Sequence, residues 1–161
     1  MVAQPQIPVK PDPPVRLLSG FYEIFPDVEP QTVLLAPGKA VWVAAVATSG
    51  HQYHLYNADR EKQVRFTWRS AGWMQTIMRR PLPRWSRYPA GVIHHLQAQS
   101  FEFDIPAINL VIACDEPDGP AADFGAGVAV AALWYDLAGA DYTHDSLVQV
   151  VDTVRRKYIE K

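Results

Sequence analysis

Cysteine occurs once, at position 114. With one thiol, no intrachain disulfide can close and no cysteine zinc cage can be built. Cys114 reads as a small buried hydrophobe at a strand end. Long apolar runs are missing too. None reaches the roughly 18 residues of a membrane-spanning helix, so no membrane partner is expected. The N-terminus lacks the basic region and apolar core of a secretory leader, and the expected compartment is the cytoplasm. Charge of one sign is not in excess either. A net charge of −2 leaves no electrostatic footprint for nucleic acid. The basic cluster from Arg79 to Arg87 is local and interrupted by Pro81, Pro83 and Trp85. It reads as a solvated loop, with an anion-binding patch as the sharper alternative.

What is present is globular. Hydrophobic residues make up 48% of 161 and charged residues 20%, enough to close one core without staples. Five of the 14 prolines precede Val15, at positions 5, 8, 11, 13 and 14. Proline fixes φ and removes a donor, so residues 1–14 are expected to be a disordered proline-rich arm before a single domain spanning 15–161. Leu17, Leu18, Phe21 and Phe25 recur at helical spacing, and Pro26 ends that helix. Val33 to Ala36 and Ala40 to Ala47 predict strands around a tight turn. The second is apolar on both faces and belongs inside its sheet. Tyr53 to Asn57 and Val64 to Trp68 predict an antiparallel pair, with Val64, Phe66 and Trp68 on one face. Ser86 is the expected cap of a helix striped by Trp85, Tyr88, Val92, Ile93 and Leu96, with Pro89 in its first turn. Phe101 to Phe103 and Ile108 to Ala113 read as strands, and Gly125 to Leu137 as a buried helix. The last helix carries Leu147, Val150, Val151, Val154 and Tyr158 on one stripe. Asp145 stands at its positive end and Arg155 to Lys157 at its negative end. It runs to Lys161 with no glycine cap, as expected of a fragment, of a truncated gene product or of a helix ending freely in solvent. The expected fold class is α+β: a mixed, mostly antiparallel sheet with helices packed against one face.

Several clusters invite chemistry and have plainer readings. His51 and His54 point oppositely on a hairpin and lack a third ligand. His94 and His95 flank a helical stripe, one toward solvent and one toward the core. Asp115, Glu116 and Asp118 around Pro117 read as a solvated turn, short of a Ca²⁺ loop. Tyr142 to Ser146 places His, Asp and Ser side by side, but a triad is assembled in space, and Thr, Asp and Ser at a helix start act as caps. No metal site is expected. The five tryptophans read as core or interface candidates, and Trp73 and Trp85, which flank the basic stretch, as candidates for an exposed patch that binds a partner.

One order of parts is more specific. Phe21, Phe25 and Pro30 lead through a short strand, Thr32 to Ala36, into Ala36-Pro37-Gly38-Lys39, and an apolar strand follows. Trp85, Tyr88, Gly91, Val92 and Leu96 then share a helix. After the strand Ile108 to Ala113, Gly125 and Gly127 precede Ala129, Ala131 and Ala132. This order resembles the N-terminal domain of the galactokinase branch of the GHMP small-molecule kinases, over roughly residues 17 to 160. The resemblance implies the fold of that domain, which is like domain 2 of ribosomal protein S5. It also implies a glycine-rich nucleotide loop, which would assign nucleotide binding to Gly125, Ala126 and Gly127. Such loops present free N–H groups and a positive helix end to phosphates.

The same resemblance places Lys39 where the family has an arginine, as the candidate catalytic cation. The cofactors of an active member would be ATP and Mg²⁺, with phosphoryl transfer to a sugar hydroxyl. The family's Glu, His and Asp that hold the sugar fall on Ala45, Val46 and Thr48. Its loop serines fall in Ala122-Asp123-Phe124-Gly125-Ala126-Gly127, which has no hydroxyl. Its catalytic aspartate would fall just past Lys161. The implied function is a diverged domain that binds a nucleotide or sugar-like metabolite, with kinase activity not expected of this chain alone. The alternative is a noncatalytic scaffold that contacts proteins, including a second copy of itself.

Overall fold

The computed structural model describes residues 12–99 and 107–160. Most of the expected arm and the strand expected at Phe101 to Phe103 lie outside the described residues. The chain runs α1 (Val15–Ile24), β1 (Thr32–Leu35), β2 (Val41–Thr48), β3 (Gln52–Asn57), β4 (Lys62–Thr67), α2 (Trp68–Gly72), α3 (Arg84–Gln99), β5 (Ala107–Cys114), α4 (Pro120–Ala138) and α5 (His144–Val154). A single π-helical turn, Arg155–Ile159, extends α5.

The strands form one sheet in the order β1-β2-β5-β3-β4. All neighbours are antiparallel except β3 and β5. Period-two alternation sorts each inner strand between two layers. Val41, Val43 and Ala45 of β2, with Ile108, Leu110 and Ile112 of β5, face the main core, shared with α3, α4 and α5. Trp42, Ala44, Val111 and Ala113 face the other way and are covered by Leu17 and Phe21 of α1 and by Phe25 at its C-terminal end. The α+β sheet with a helical layer is thus as expected, and α1 adds a cover on the far face. The period of two in β2 puts Trp42, Ala44 and Val46 toward α1 and Val41, Val43 and Ala45 toward the main core.

Helix α4 explains the main layer. Every residue from Gly125 to Trp134 is buried. A helix apolar all round belongs inside a core, and α4 lies between the sheet and the paired helices α3 and α5. It ends at Gly139 in the left-handed conformation, with φ 69°, a common helix stop. Helix α5 begins at Thr143, whose hydroxyl accepts from the Ser146 amide while Ser146 Oγ accepts from Thr143 N. The run Tyr142 to Ser146 is therefore a capping box, as its residue types predicted.

Three local expectations are corrected. The β4 ladder ends at Thr67, because Thr67 caps α2 through a reciprocal bond pair with Ser70; Trp68 is helical, not the last strand residue. Ser86 does not cap α3. That helix starts at Arg84, and the Ser86 hydroxyl donates back to Pro83 O at 2.8 Å. Pro89 therefore sits in the second turn, buried, where it leaves a carbonyl of the preceding turn without its helical partner.

Candidate functional site

The β1–β2 corner is built by its residue types. Ala36 N donates to Val41 O at 2.8 Å and Lys39 N to Ala36 O at 3.1 Å. Pro37 and Gly38 hold the two central positions, Gly38 with φ 68°, which is the type II signature. The ring of His144 closes over the corner, so a Cβ on Gly38 would lie 3.2 Å from His144 Cε1. The corner meets α4 directly. Lys39 Nζ stands 5.5 Å from the centre of the Phe124 ring. A Cβ added to Gly125 would lie 3.7 Å from Lys39 Cβ and 3.0 Å from Val41 Cγ2. The structure thus brings Lys39 and Gly125 together, but by packing rather than across an open cleft.

The glycine-rich segment is not a loop. Gly119 is the N-cap, Pro120 opens α4, and Asp123 N already donates to Gly119 O at 3.0 Å. Gly125, Ala126 and Gly127 lie in the second turn and the start of the third, where backbone amides bond within the helix. They have no free N–H groups for a phosphate. Their smallness has another use. A Cβ on Gly127 would lie 2.9 Å from Val151 Cγ1 of α5, so this glycine lets two helices close. The amides left open at the helix start are those of Ala121 and Ala122.

A hollow of about 100 Å³ sits beside that start. Its apolar wall includes Trp85, Ile112, Ala122 and Ala126, and its polar rim includes Glu116 and Asp118. Trp85 is only 8% exposed, and its indole N–H has no hydrogen-bond partner among the described residues. Carboxylates dominate the rim. Asp123 occupies the first turn of α4 and pairs with Arg84 at 2.7 Å. Asp118 pairs with Arg60 at 2.7 Å. Arg16, reaching from α1, bonds Asp59 and Asp115 at 2.6 Å each and Cys114 O at 3.1 Å. Those bonds, to Asp115 and then Asp59, hold its guanidinium further above its ordinary range. Asp59 also accepts from Cys114 N at 2.7 Å. Burial, first among its causes, pushes the Cys114 thiol up. Asn57 Oδ1 organises the neighbouring turn by accepting from the Asp59 and Arg60 amides.

This arrangement does not fit a triphosphate. The positive helix end already faces the Asp123 carboxylate, and residues 120–127 offer no hydroxyl. It does not fit Mg²⁺ either, since Asp59, Asp115 and Asp118 are each held by arginine. Of the sugar-facing positions implied by the resemblance, Ala45 is fully buried and pairs with Thr32 of β1 and Leu110 of β5; Val46 packs toward α1; Thr48 is half-buried at the end of β2, opposite Ala107.

The two histidines of α3 divide. His95 flanks the core and is 6% exposed. His94 is the more exposed of the pair and half-buried, stacked on Trp68 at 4.5 Å, with Nδ1 2.8 Å from Tyr158 Oη. Trp68 of α2 and Tyr158 of the π-helical turn cover part of its ring. The expected tryptophan pair divides: Trp73 is 73% exposed while Trp85 is in the core. The basic cluster divides as well, with Arg84 bound to Asp123 and Arg87 donating to Leu82 O. Sequence reading missed the Arg16 network altogether, since its members lie 43 and 99 residues apart.

No family model and no curated protein matches the sequence. Solved structures do match. The galactokinase of Lactococcus lactis, crystallised with galactose, aligns over 90% of this chain with a TM-score of 0.67 and 17% identity. The fold is GHMP-kinase-like. The mevalonate kinase of Methanococcus jannaschii aligns over 75% of the chain at TM-score 0.58 and 8% identity. A further mevalonate kinase aligns over 73% at TM-score 0.52 and 10% identity. Both sugar and mevalonate kinases share the likeness, so it marks the GHMP-kinase-like fold and not the galactokinase branch. The chain spans 42%, 38% and 37% of those three structures.

Proposed function

We propose that this chain is a noncatalytic module with a GHMP-kinase-like fold, acting through contacts rather than phosphoryl transfer. One observation carries the reading: the helix end that would cradle phosphates is bordered by Glu116, Asp118 and Asp123, while its glycines lie inside the helix. A phosphate brought to that rim meets like charge, and a carboxylate already answers the helix dipole. Lys39 supports the same reading, since its side chain covers Gly125 and faces Phe124. ATP and Mg²⁺ would be cofactors only of an active enzyme, and the residues present do not suit them. Calorimetry with ATP-Mg²⁺, alone and with galactose or mevalonate, tests the proposal. No heat at millimolar ligand is expected. Saturable binding of ATP-Mg²⁺, or phosphate transfer to either acceptor, overturns it.

A second reading has its own observation. The buried, unpartnered indole N–H of Trp85 beside an apolar wall is the kind of donor a flat, acceptor-bearing ligand satisfies. On this reading the hollow, at about 100 Å³, takes only the ring of a nucleotide or sugar-like metabolite, the rest of the ligand lying outside it, without turnover. Adenosine, which lacks phosphates, separates the two: binding that is lost in Trp85→Phe favours metabolite binding.

A further inference from the structure

A second, wider hollow lies where β3 starts and β4 ends, beside α2 and the segment that follows it. It measures about 530 Å³ and is lined by Gln52, Arg69, Trp73, Gln75, Thr76 and Arg79, among others. That volume falls within the range of small-molecule sites, about 300–1,000 Å³. It shares no lining residue with the hollow at α4.

The wall is built rather than loose. Ile77 N donates to Arg65 O at 3.0 Å, which pins the segment after α2 onto β4. Thr76 N donates to Arg80 O at 2.8 Å, Leu82 N donates to Met74 O at 2.9 Å, and Gln75 bridges Pro81. Two non-glycine residues of this segment are held at positive φ, Met74 at 53° and Arg79 at 60°. L residues disfavour that region, and such strain gathers where a ligand is held.

The chemistry of the lining has one sign. Arg69 and Arg79 have no carboxylate partner among the described residues, and the lining holds no Asp or Glu. Thr76 Oγ1 accepts from the Met78 and Arg80 amides at 3.2 and 3.3 Å, so its own proton is left to donate. Trp73 offers an indole that is 73% exposed. Guanidinium forks suit phosphate, and two of them match a dianion better than a singly charged carboxylate. An exposed indole supplies a stacking face.

We infer that this hollow binds a small organic phosphate carrying a planar ring, with Arg69, Arg79 and Thr76 on the phosphate and Trp73 against the ring. The full chain is titrated calorimetrically with phenyl phosphate, inorganic phosphate and phenol. Phenyl phosphate is expected to bind at least about tenfold more tightly than either part alone, since charge-assisted bonds and stacking add. Arg69→Ala and Arg79→Ala each weaken it by about tenfold; Trp73→Phe keeps most of the affinity and Trp73→Ala loses it. Both arginines are exposed, and unchanged thermal unfolding verifies that the variants fold. Absence of binding at millimolar phenyl phosphate overturns the proposal. So does equal affinity for inorganic phosphate, or wild-type affinity in the double arginine variant. None of these outcomes bears on the noncatalytic reading, which concerns the hollow at α4.

Discussion

Gly127 shows how a residue that suggests phosphate chemistry serves packing instead. Gly127→Ala gains about 1 kcal/mol of helix propensity but forces a Cβ to within 2.9 Å of Val151 Cγ1. Overpacking of this kind costs about 1–3 kcal/mol, so a net loss is expected, read as a lower urea midpoint. At the same scale, His54, His94 and His95 share a direction. Burial, the leading cause in each, holds their pKa values below the ordinary histidine value. For His94 the faces that surround it come from Trp68, Gly72, His95 and Tyr158; for His95, Lys157 adds to the lowering. A histidine with a depressed folded pKa takes up its proton more readily when unfolded. Stability is therefore full above about pH 6.5, the unfolded value, and falls as pH drops below it. Thermal midpoints measured from pH 8 to pH 5 should decline, and His94→Gln with His95→Gln should flatten the decline.

At the scale of the element, the Thr143 cap is the most separable contribution. Thr143→Ala removes the acceptor for Ser146 N and is expected to cost about 0.5–2 kcal/mol in chemical denaturation. Thr143→Asp should keep most of it. This start was legible because a Thr followed three residues later by Ser precedes a clear apolar stripe. The same T-x-x-S pattern at Thr67 and Ser70 was equally present. There it was masked by the alternation of Val64, Phe66 and Trp68, which reads as a strand that continues. β2, β5 and α4 were legible because apolar runs of those lengths have few other places to go. The glycine-rich segment carried two readings: its small residues read as a buried helix from Gly125, which α4 bears out, while the resemblance implied a nucleotide loop there; the close approach of Val41 and Val151 explains why Gly125 and Gly127 are small. The site itself was largely illegible. Its carboxylates and Arg16 come from α1, the β3–β4 turn and the segment after β5, and no local pattern joins them.

Across the whole molecule, Arg16 is the tie between the far-face helix and the rim of the α4 hollow. Its ion pairs are partly exposed, with side-chain exposures of 39% for Arg16, 30% for Asp59 and 54% for Asp115. Pairs of that kind contribute about 0–1 kcal/mol each. Arg16→Ala is therefore expected to lower global stability only slightly. Its clearer effect should be faster hydrogen exchange at Asp59, Arg60 and Cys114, whose amides are organised by this cluster. Unchanged exchange at all three would show that α1 is held by Leu17, Phe21 and Phe25 alone. The strand order has a consequence of its own. β2 and β3 are consecutive, joined only through residues 49–51, yet β5 lies between them. As the chain leaves the ribosome, the hairpins β1–β2 and β3–β4 emerge with a gap one strand wide between them. Until residue 114 has been synthesised, both keep their inner edges unpaired. The nascent chain thus presents two open β-edges that its own later strand must fill, and any competing extended segment meets them first.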